Sequence, residues 1–323
     1  MKKKTLALIA TMLMGATAMA QPGGFGGGFG GFGGMQVQND LETSQQWKDV
    51  DYVGDGQVYH TCDIYLPKQE KAAYPVVIHT YGSAWFMNSG KGMADLGTIV
   101  KRLLDAGYAV VCPNHRSSMD AKWPAQINDI KAVIRFVRGE AKTYRFDTSF
   151  IATSGFSSGA HLSAMAATTS NNKTGKSGNE EVDLEGTLGK YTAQSSAVNA
   201  ACAWSAPIDL TDMKCGDQMS FGDRAPEEVL VDALLTENSD KFRVASSTHY
   251  VDPNDPPLIL FHGLVDNVVP PCQSDKLYEA LKAAGVKTQL VNEPEGGHGM
   301  GMYSAENLQK MVDFLDSVRL EGK

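Results

Sequence analysis

The feature that most constrains this chain is the stretch Phe150-Ile-Ala-Thr-Ser-Gly155-Phe-Ser157-Ser-Gly159-Ala-His-Leu. A short apolar run leads into Gly-x-Ser-x-Gly and then into the start of a helix. This is the strand–turn–helix setting in which the five-residue pattern makes a nucleophile elbow. A serine on so sharp a turn takes a strained backbone conformation. The flanking glycines are needed because a Cβ at either place would strike the neighbouring strand or helix. Ser157 is therefore the candidate nucleophile. The N-terminus of the following helix offers free N–H groups and partial positive charge where an oxyanion would form. An ordinary Gly/Ser turn satisfies the bare pattern equally well, so the rest of the chain has to decide.

Around this stretch, apolar runs alternate with helical patterns. Residues 49–53 and 58–66 alternate apolar and polar side chains about Gly54-Asp55-Gly56, which predicts a β-hairpin. Residues 74–79, 108–112 and 150–154 are short continuous apolar runs, the mark of strands covered on both faces. Helical spacing covers residues 94–106, 124–138, 273–284 and 305–319, and further strands are expected at 198–204, 257–262 and 287–291. Strands alternating with helices in this way predict an α/β fold with a mostly parallel sheet and helices on both faces. Two stretches interrupt the rhythm. Residues 170–196 are polar and glycine-rich, which reads as a surface insertion, and 207–247 read as a mainly helical excursion roofing the carboxyl ends of the strands. Thr174-Gly-Lys-Ser177 imitates the end of a phosphate loop, but Ser170 stands where the first glycine belongs and no buried strand leads in.

A serine hydroxyl is a weak nucleophile at neutral pH. It needs a base, and the base needs an acid to fix its tautomer. In such a sheet the partners follow in the order Ser, Asp or Glu, His, each on a loop after a late strand. Asp266 stands just beyond the expected strand at 257–262, and His298 lies in Glu295-Gly-Gly-His-Gly beyond the one at 287–291. Either residue alone reads equally well as a loop residue, but together with the elbow they form a Ser157–His298–Asp266 constellation. Backbone donors for an oxyanion are expected from Ser158 N–H and from the loop His79-Thr-Tyr-Gly82-Ser83-Ala84-Trp85, whose small residues let amides approach substrate. His262 reads as a packing or hydrogen-bonding group, and His161, one turn into the elbow helix, as structural. His60, His79, His115 and His249 are weaker candidates. The sequence carries no His-Glu-x-x-His, no clustered acidic ligand set and no complete phosphate loop, so neither metal nor cofactor is expected.

These residues together resemble the α/β-hydrolase superfamily, within it the esterase/lipase group of hormone-sensitive-lipase-like and bacterial carbohydrate and feruloyl esterases. The resemblance spans about residues 50 to 320. It rests on His79 to Trp85, Trp123-Pro-Ala-Gln-Ile-Asn-Asp129, Gly155 to Gly159, Ser246 to Val251, Pro256 to Gly263, Asp266, Val269-Pro270 and Gly297-His298-Gly299. It implies an α/β-hydrolase fold with an eight-stranded sheet, Ser157 as nucleophile, Asp266 as acid and His298 as base. The family's His-Gly-Gly-Gly-Trp is altered here: Thr80 and Tyr81 look inserted, and Gly82-Ser-Ala-Trp85 matches the remainder. That alignment makes Ser83 and Ala84 the loop donors, with Gly82, Trp85 and Trp123 as walls of the substrate pocket.

The ends of the chain and its charge bear on location and partners. Lys2 to Lys4, an apolar run at 6–14 and Ala18-Met-Ala20 have the plan of a cleaved signal peptide over residues 1–20. The apolar run is too short to span a bilayer core of about 30 Å, so no stable membrane insertion is expected after cleavage. Periplasmic or extracellular location follows. Residues 21–38, glycine with interspersed Phe25, Phe29 and Phe32, read as a flexible linker, and 39–323 as the hydrolase domain. The net charge of −8, more negative without the three lysines, argues against nucleic acid as partner. Five cysteines without Cys-x-x-Cys spacing suggest neither zinc nor a dense disulfide scaffold, and leave a Cys202–Cys215 bridge open.

The sequence thus predicts a serine carboxylesterase acting on short acyl or phenolic esters through an acyl-enzyme. By resemblance alone, its substrates would be acetyl or feruloyl groups on carbohydrate, small-molecule or polysaccharide. The rival readings are a serine peptidase or amidase of the same fold, and a binding protein that has lost activity.

Overall fold

The computed structural model describes residues 41–214 and 224–321. Residues 1–20, 21–38 and Cys215 lie outside them. One eight-stranded sheet runs through the molecule in the order β1-β2-β4-β3-β5-β8-β9-β10. Its strands are β1 (Thr43–Asp51), β2 (Thr61–Pro67), β3 (Tyr74–Thr80), β4 (Ala109–Pro113), β5 (Phe146–Phe156), β8 (Ala200–Trp204), β9 (Leu258–Gly263) and β10 (Thr288–Glu293). The pairs from β4 to β10 are parallel, and β1 and β2 join antiparallel at one edge. The central strands β3, β4, β8 and β9 are buried along their whole length. Their Val, Ile, Ala and Leu side chains pack on both faces, as unbroken apolar runs require. This is the α/β-hydrolase architecture.

Helices α1 (Lys101–Asp105), α2 (Ala125–Gly139), α3 (Ala141–Tyr144), α4 (Ser158–Thr168), α5 (Pro226–Val231), α6 (Ser239–Arg243), α7 (Cys272–Ala283) and α8 (Ala305–Glu321) complete the fold. One core packs α2, α4 and α7 against the sheet, and the other packs α1 and α8 against the opposite face. Every residue of α4 is buried, because it sits between the sheet and the segments that cover it. That position explains its run of Ala, Ser and Gly, since bulkier side chains would hold the helix away from the strands.

Several expectations about local structure are corrected. The hairpin is wider than its glycines suggested: β1 starts at Thr43, β2 only at Thr61, and a 3₁₀ turn at Val58–His60 intervenes. The Asp51 carboxylate holds the connection by accepting the N–H groups of Val53, Gly54 and Gly56. The expected helix at 94–106 is a π-helical turn, Leu96–Val100, entered from Asp95 at φ +49° and continuing into α1. The insertion contains a hairpin, β6 (Thr174–Ser177) and β7 (Glu180–Asp183). The residues that imitated a phosphate loop are strand β6. The roof is mostly irregular in its described part, with only the short α5 and α6. Cys202 is a free buried thiol in β8, which removes the Cys202–Cys215 bridge, whereas Cys272 is disulfide-bonded.

Candidate active site

Ser157 lies between the end of β5 and the start of α4, at φ +54° and ψ −124°. A non-glycine residue held there stores strain that the surrounding packing must over-determine. Its N–H is fixed on the Trp204 carbonyl at 2.8 Å, and its own carbonyl accepts the His161 N–H at 3.0 Å. A Cβ on Gly155 would lie 2.2 Å from the Gly159 carbonyl oxygen, and one on Gly159 would lie 2.2 Å from that of Thr80. Both glycines are therefore required by backbone contact, as the sequence pattern implied.

Asp266 and His298 come from the two loops beyond β9 and β10. The loops are laced together by Leu264 N–H on the Glu293 carbonyl and Val265 N–H on the Gly296 carbonyl. A Cβ on Gly263 would sit 2.1 Å from the Gly296 oxygen, so this approach also depends on a glycine. The His298 imidazole spans the gap: Nδ1 is 2.8 Å from Asp266 Oδ2 and Nε2 is 3.0 Å from Ser157 Oγ. With Nδ1–H donating to the carboxylate, Nε2 is left to accept the serine proton. The Phe156 ring packs at 4.7 Å from the imidazole and braces its other side.

Asp266 is buried and well supplied with donors. Its Oδ1 accepts the N–H groups of Val268 and Val269, both at 2.9 Å. Burial by itself would raise the carboxyl's pKa, but hydrogen bonds from His262 and His298 outweigh it and hold the group well below the usual carboxylate range. His262, which the sequence reads as a packing or hydrogen-bonding group, does its hydrogen bonding beside Asp266. Its Nε2 lies 2.9 Å from the Val269 carbonyl and 3.5 Å from Asp266 Oδ2, while Nδ1 meets Ser274 Oγ at 2.6 Å. The signal was its place four residues before Asp266 at a strand's end.

The facing loop departs from expectation. Gly82 lies directly over the elbow, for a Cβ there would be 2.8 Å from Ser157 Cβ. Ser83 does not present its N–H to the cleft; it donates to Ser158 Oγ at 2.9 Å. Among the described residues no acceptor meets the N–H of Gly82 or Ala84. Ser158 N–H occupies the first position of α4, where a helix supplies no acceptor. Trp85 and Trp123 are internal supports rather than pocket walls. Trp85 is 1% exposed and donates Nε1–H to His161 Nδ1 at 3.3 Å, while Trp123 is 8% exposed and donates to the Val244 carbonyl at 3.2 Å. Both rings pack on His161. His161 in turn donates Nε2–H to the Ala245 carbonyl at 2.8 Å, a fully buried role inside the fold.

The other histidines lie elsewhere. His79 bridges Ser154 Oγ and Asp95, and His60 bridges Asp55 and Asp129, which also pairs with Arg116. His115 stacks on Tyr81, and His249 meets the Lys176 carbonyl. Among the described residues no cluster of His, Cys, Asp and Glu is arranged to hold a metal ion.

A family model described as BD-FAE matches residues 62–281, well over half of the chain. The chain belongs to the BD-FAE family. A solved structure titled a truncated form of carbohydrate esterase from gut microbiota is 43% identical to this BD-FAE member. It covers 87% of this chain and 98% of that one, with a TM-score of 0.82. A bifunctional GH43-CE protein of Bacteroides eggerthii is 44% identical with a TM-score of 0.80, covering 84% of this chain and 38% of its own. Esterase LipQ of Mycobacterium tuberculosis is 31% identical over 246 residues, 75% of this chain and 55% of LipQ. The isoprenylcysteine alpha-carbonyl methylesterase ICME of Arabidopsis thaliana is 27% identical over 268 residues, 80% of this chain and 58% of ICME. This BD-FAE chain thus spans about half the length of the curated relatives it matches, and it falls in the esterase/lipase group of the α/β-hydrolases.

Proposed function

We propose that the chain is a carboxylic ester hydrolase of the serine type, with Ser157 as nucleophile, His298 as general base and Asp266 as the acid that orients it. One observation carries this reading: His298 Nε2 stands 3.0 Å from Ser157 Oγ while Nδ1 is engaged by Asp266 at 2.8 Å. As Oγ attacks an ester carbonyl, its proton passes to Nε2, and the Asp266 charge stabilises the resulting imidazolium. Backbone N–H groups of Ser158 and the facing loop hold the oxyanion. Collapse of the tetrahedral adduct expels the alcohol, which takes the proton from Nε2. Water then repeats the sequence on the acyl-enzyme and regenerates Ser157. The esterase names of the relatives support the reaction class.

For substrate we infer acetyl or feruloyl groups esterified to carbohydrate. Support comes from the two neighbours above 40% identity, whose titles name carbohydrate esterase or CE domains. We further infer that residues 1–20 direct export and that the hydrolase domain works in the periplasm or outside the cell.

The test is a panel of p-nitrophenyl esters of rising acyl length, acetylated xylan, methyl ferulate and a prolyl amide, run with wild type and Ser157→Ala. Short acyl or feruloyl esters should be cleaved, and the alanine variant should lose at least about 10³-fold in kcat. Activity surviving in Ser157→Ala would overturn the nucleophile, and preference for long acyl chains would overturn the carbohydrate reading. Cleavage of the amide alone would make the protein a peptidase.

A further inference from the structure

Ser158 contributes more than a backbone N–H at the head of α4. Its hydroxyl is buried and accepts the Ser83 N–H at 2.9 Å, across 75 residues of sequence. Ser83 and Ser158 are 4% and 1% exposed, so water cannot replace the bond. Two residues further along the same loop, Trp85 donates Nε1–H to His161 Nδ1 on the same helix. Between these two tethers lies Ala84 at φ +50°, followed by Trp85 at φ +60°. Consecutive non-glycine residues in the left-handed region cost free energy and persist only when their surroundings fix them. The loop also closes on itself, with Phe86 N–H on the Ser83 carbonyl at 3.0 Å. The Ser158–Ser83 bond therefore pins the strained segment at the end nearer the nucleophile.

We propose that Ser158 is a positioning residue for the oxyanion hole. Its side chain holds Ser83 and orients the peptide run 82–84, so that loop N–H groups other than Ser83's converge with Ser158 N–H on the developing oxyanion. The proposal rests on the reading of Ser157 as nucleophile. It assigns Ser83 a bracing function and leaves the loop's part of the hole to Gly82 and Ala84, whose N–H groups have no acceptor among the described residues. An oxyanion exists only in the tetrahedral state, so the hydroxyl should matter for turnover and little for ground-state binding.

The experiment compares wild type with Ser158→Ala, Ser158→Thr and Ser157→Ala, reading kcat, KM, inhibition by a boronic acid that forms a tetrahedral adduct, and Tm. The alanine variant should lose about 10- to 100-fold in kcat, less than or comparable to removal of a direct donor. KM should stay within about threefold and boronate affinity should fall in parallel with kcat. The threonine variant, which restores the hydroxyl, should recover most of the loss. Wild-type kcat and boronate affinity in Ser158→Ala, with or without a lower Tm, would reduce Ser158 to a packing residue and overturn the proposal. Should the alanine variant not fold, Ser158→Cys is read by the same criteria. Activity retained in Ser157→Ala would instead overturn the nucleophile, whatever Ser158 does.

Discussion

His161 shows how one side chain can set the pH limits of the fold without touching substrate. It donates to Ala245, accepts from Trp85 and is fully buried, so there is no room for the second ring proton. Burial is the largest influence and pushes its pKa from 6.5 down to about 4. A histidine depressed in the folded state leaves stability unaffected above its unfolded value. Below that value the unfolded chain binds a proton that the folded one refuses, so stability falls with pH from 6.5 toward 4. The full shift corresponds to about 3 kcal/mol. His161→Phe removes both hydrogen bonds and strands the Trp85 N–H and the Ala245 carbonyl. It should cost about 2–4 kcal/mol at neutral pH. It should also flatten the slope of stability between pH 4 and 6.5, measured by urea unfolding at stepped pH. An unchanged slope in the variant would show that other groups govern acid unfolding.

At the scale of elements, the insertion at 170–196 is fastened to α2 by buried cations. Lys131 Nζ donates to the Thr169 and Asn172 carbonyls and lies 3.5 Å from Glu185, while Arg135 donates to Glu185 Oε1 at 2.7 Å. Burial, the largest influence, pulls the Lys131 ammonium down to about 8, against the attraction of Glu185. Removing the countercharge leaves two buried cations uncompensated. Glu185→Ala should therefore lower stability by about 3 kcal/mol, whereas Lys131→Met should cost less, about 1–2 kcal/mol, because it removes one buried charge and its desolvation cost but leaves the Thr169 and Asn172 carbonyls without their donor while Arg135 still pairs with Glu185. Denaturant midpoints of the two variants decide the matter, and equal losses would contradict it. This anchoring was not legible in the sequence, because Lys131 and Arg135 sit in an amphipathic helix where charged residues read as its solvent face. The hairpin β6–β7 left a clearer trace, since Gly178-Asn179 is a two-residue turn between short alternating runs. It was hidden by the polar composition of the whole stretch. The elbow, by contrast, was legible, because contacts of 2.2 Å leave glycine no alternative at 155 and 159. So were the places of Asp266 and His298, set by the strands before them. The facing loop was not, because backbone direction there depends on a side-chain bond, Ser158 to Ser83, that carries no local signature.

At the scale of the whole molecule, the sheet order explains why residues far apart in sequence meet. β3, β5, β8, β9 and β10 run parallel, so the loop at 81–87, the elbow and the loops of Asp266 and His298 all leave the same edge. β1 and β2 extend one lateral edge of the sheet, beyond β4. Because β1 runs against β2, with Thr43 paired to Pro67, the chain enters the fold at the edge away from the site. The neighbour titled a truncated carbohydrate esterase is matched over 98% of its length by this chain, whereas the bifunctional GH43-CE chain is matched over only 38%. The shared unit thus makes up nearly all of the truncated neighbour and little more than a third of the bifunctional one. Taking Asn39 as the start of the hydrolase domain, we propose that a chain beginning there folds and retains kcat/KM on p-nitrophenyl acetate within about twofold, with an unchanged Tm. Before Gln46, Thr43 to Gln45 contribute edge-strand pairing of β1 with Pro67 and Leu66 of β2, so a chain beginning instead at Gln46 should lose stability before it loses the site, with a lower Tm but near-normal kcat in the folded fraction. Loss of kcat in the Asn39 chain at unchanged Tm would show that the preceding residues take part in catalysis, and would overturn the division of the molecule at that point.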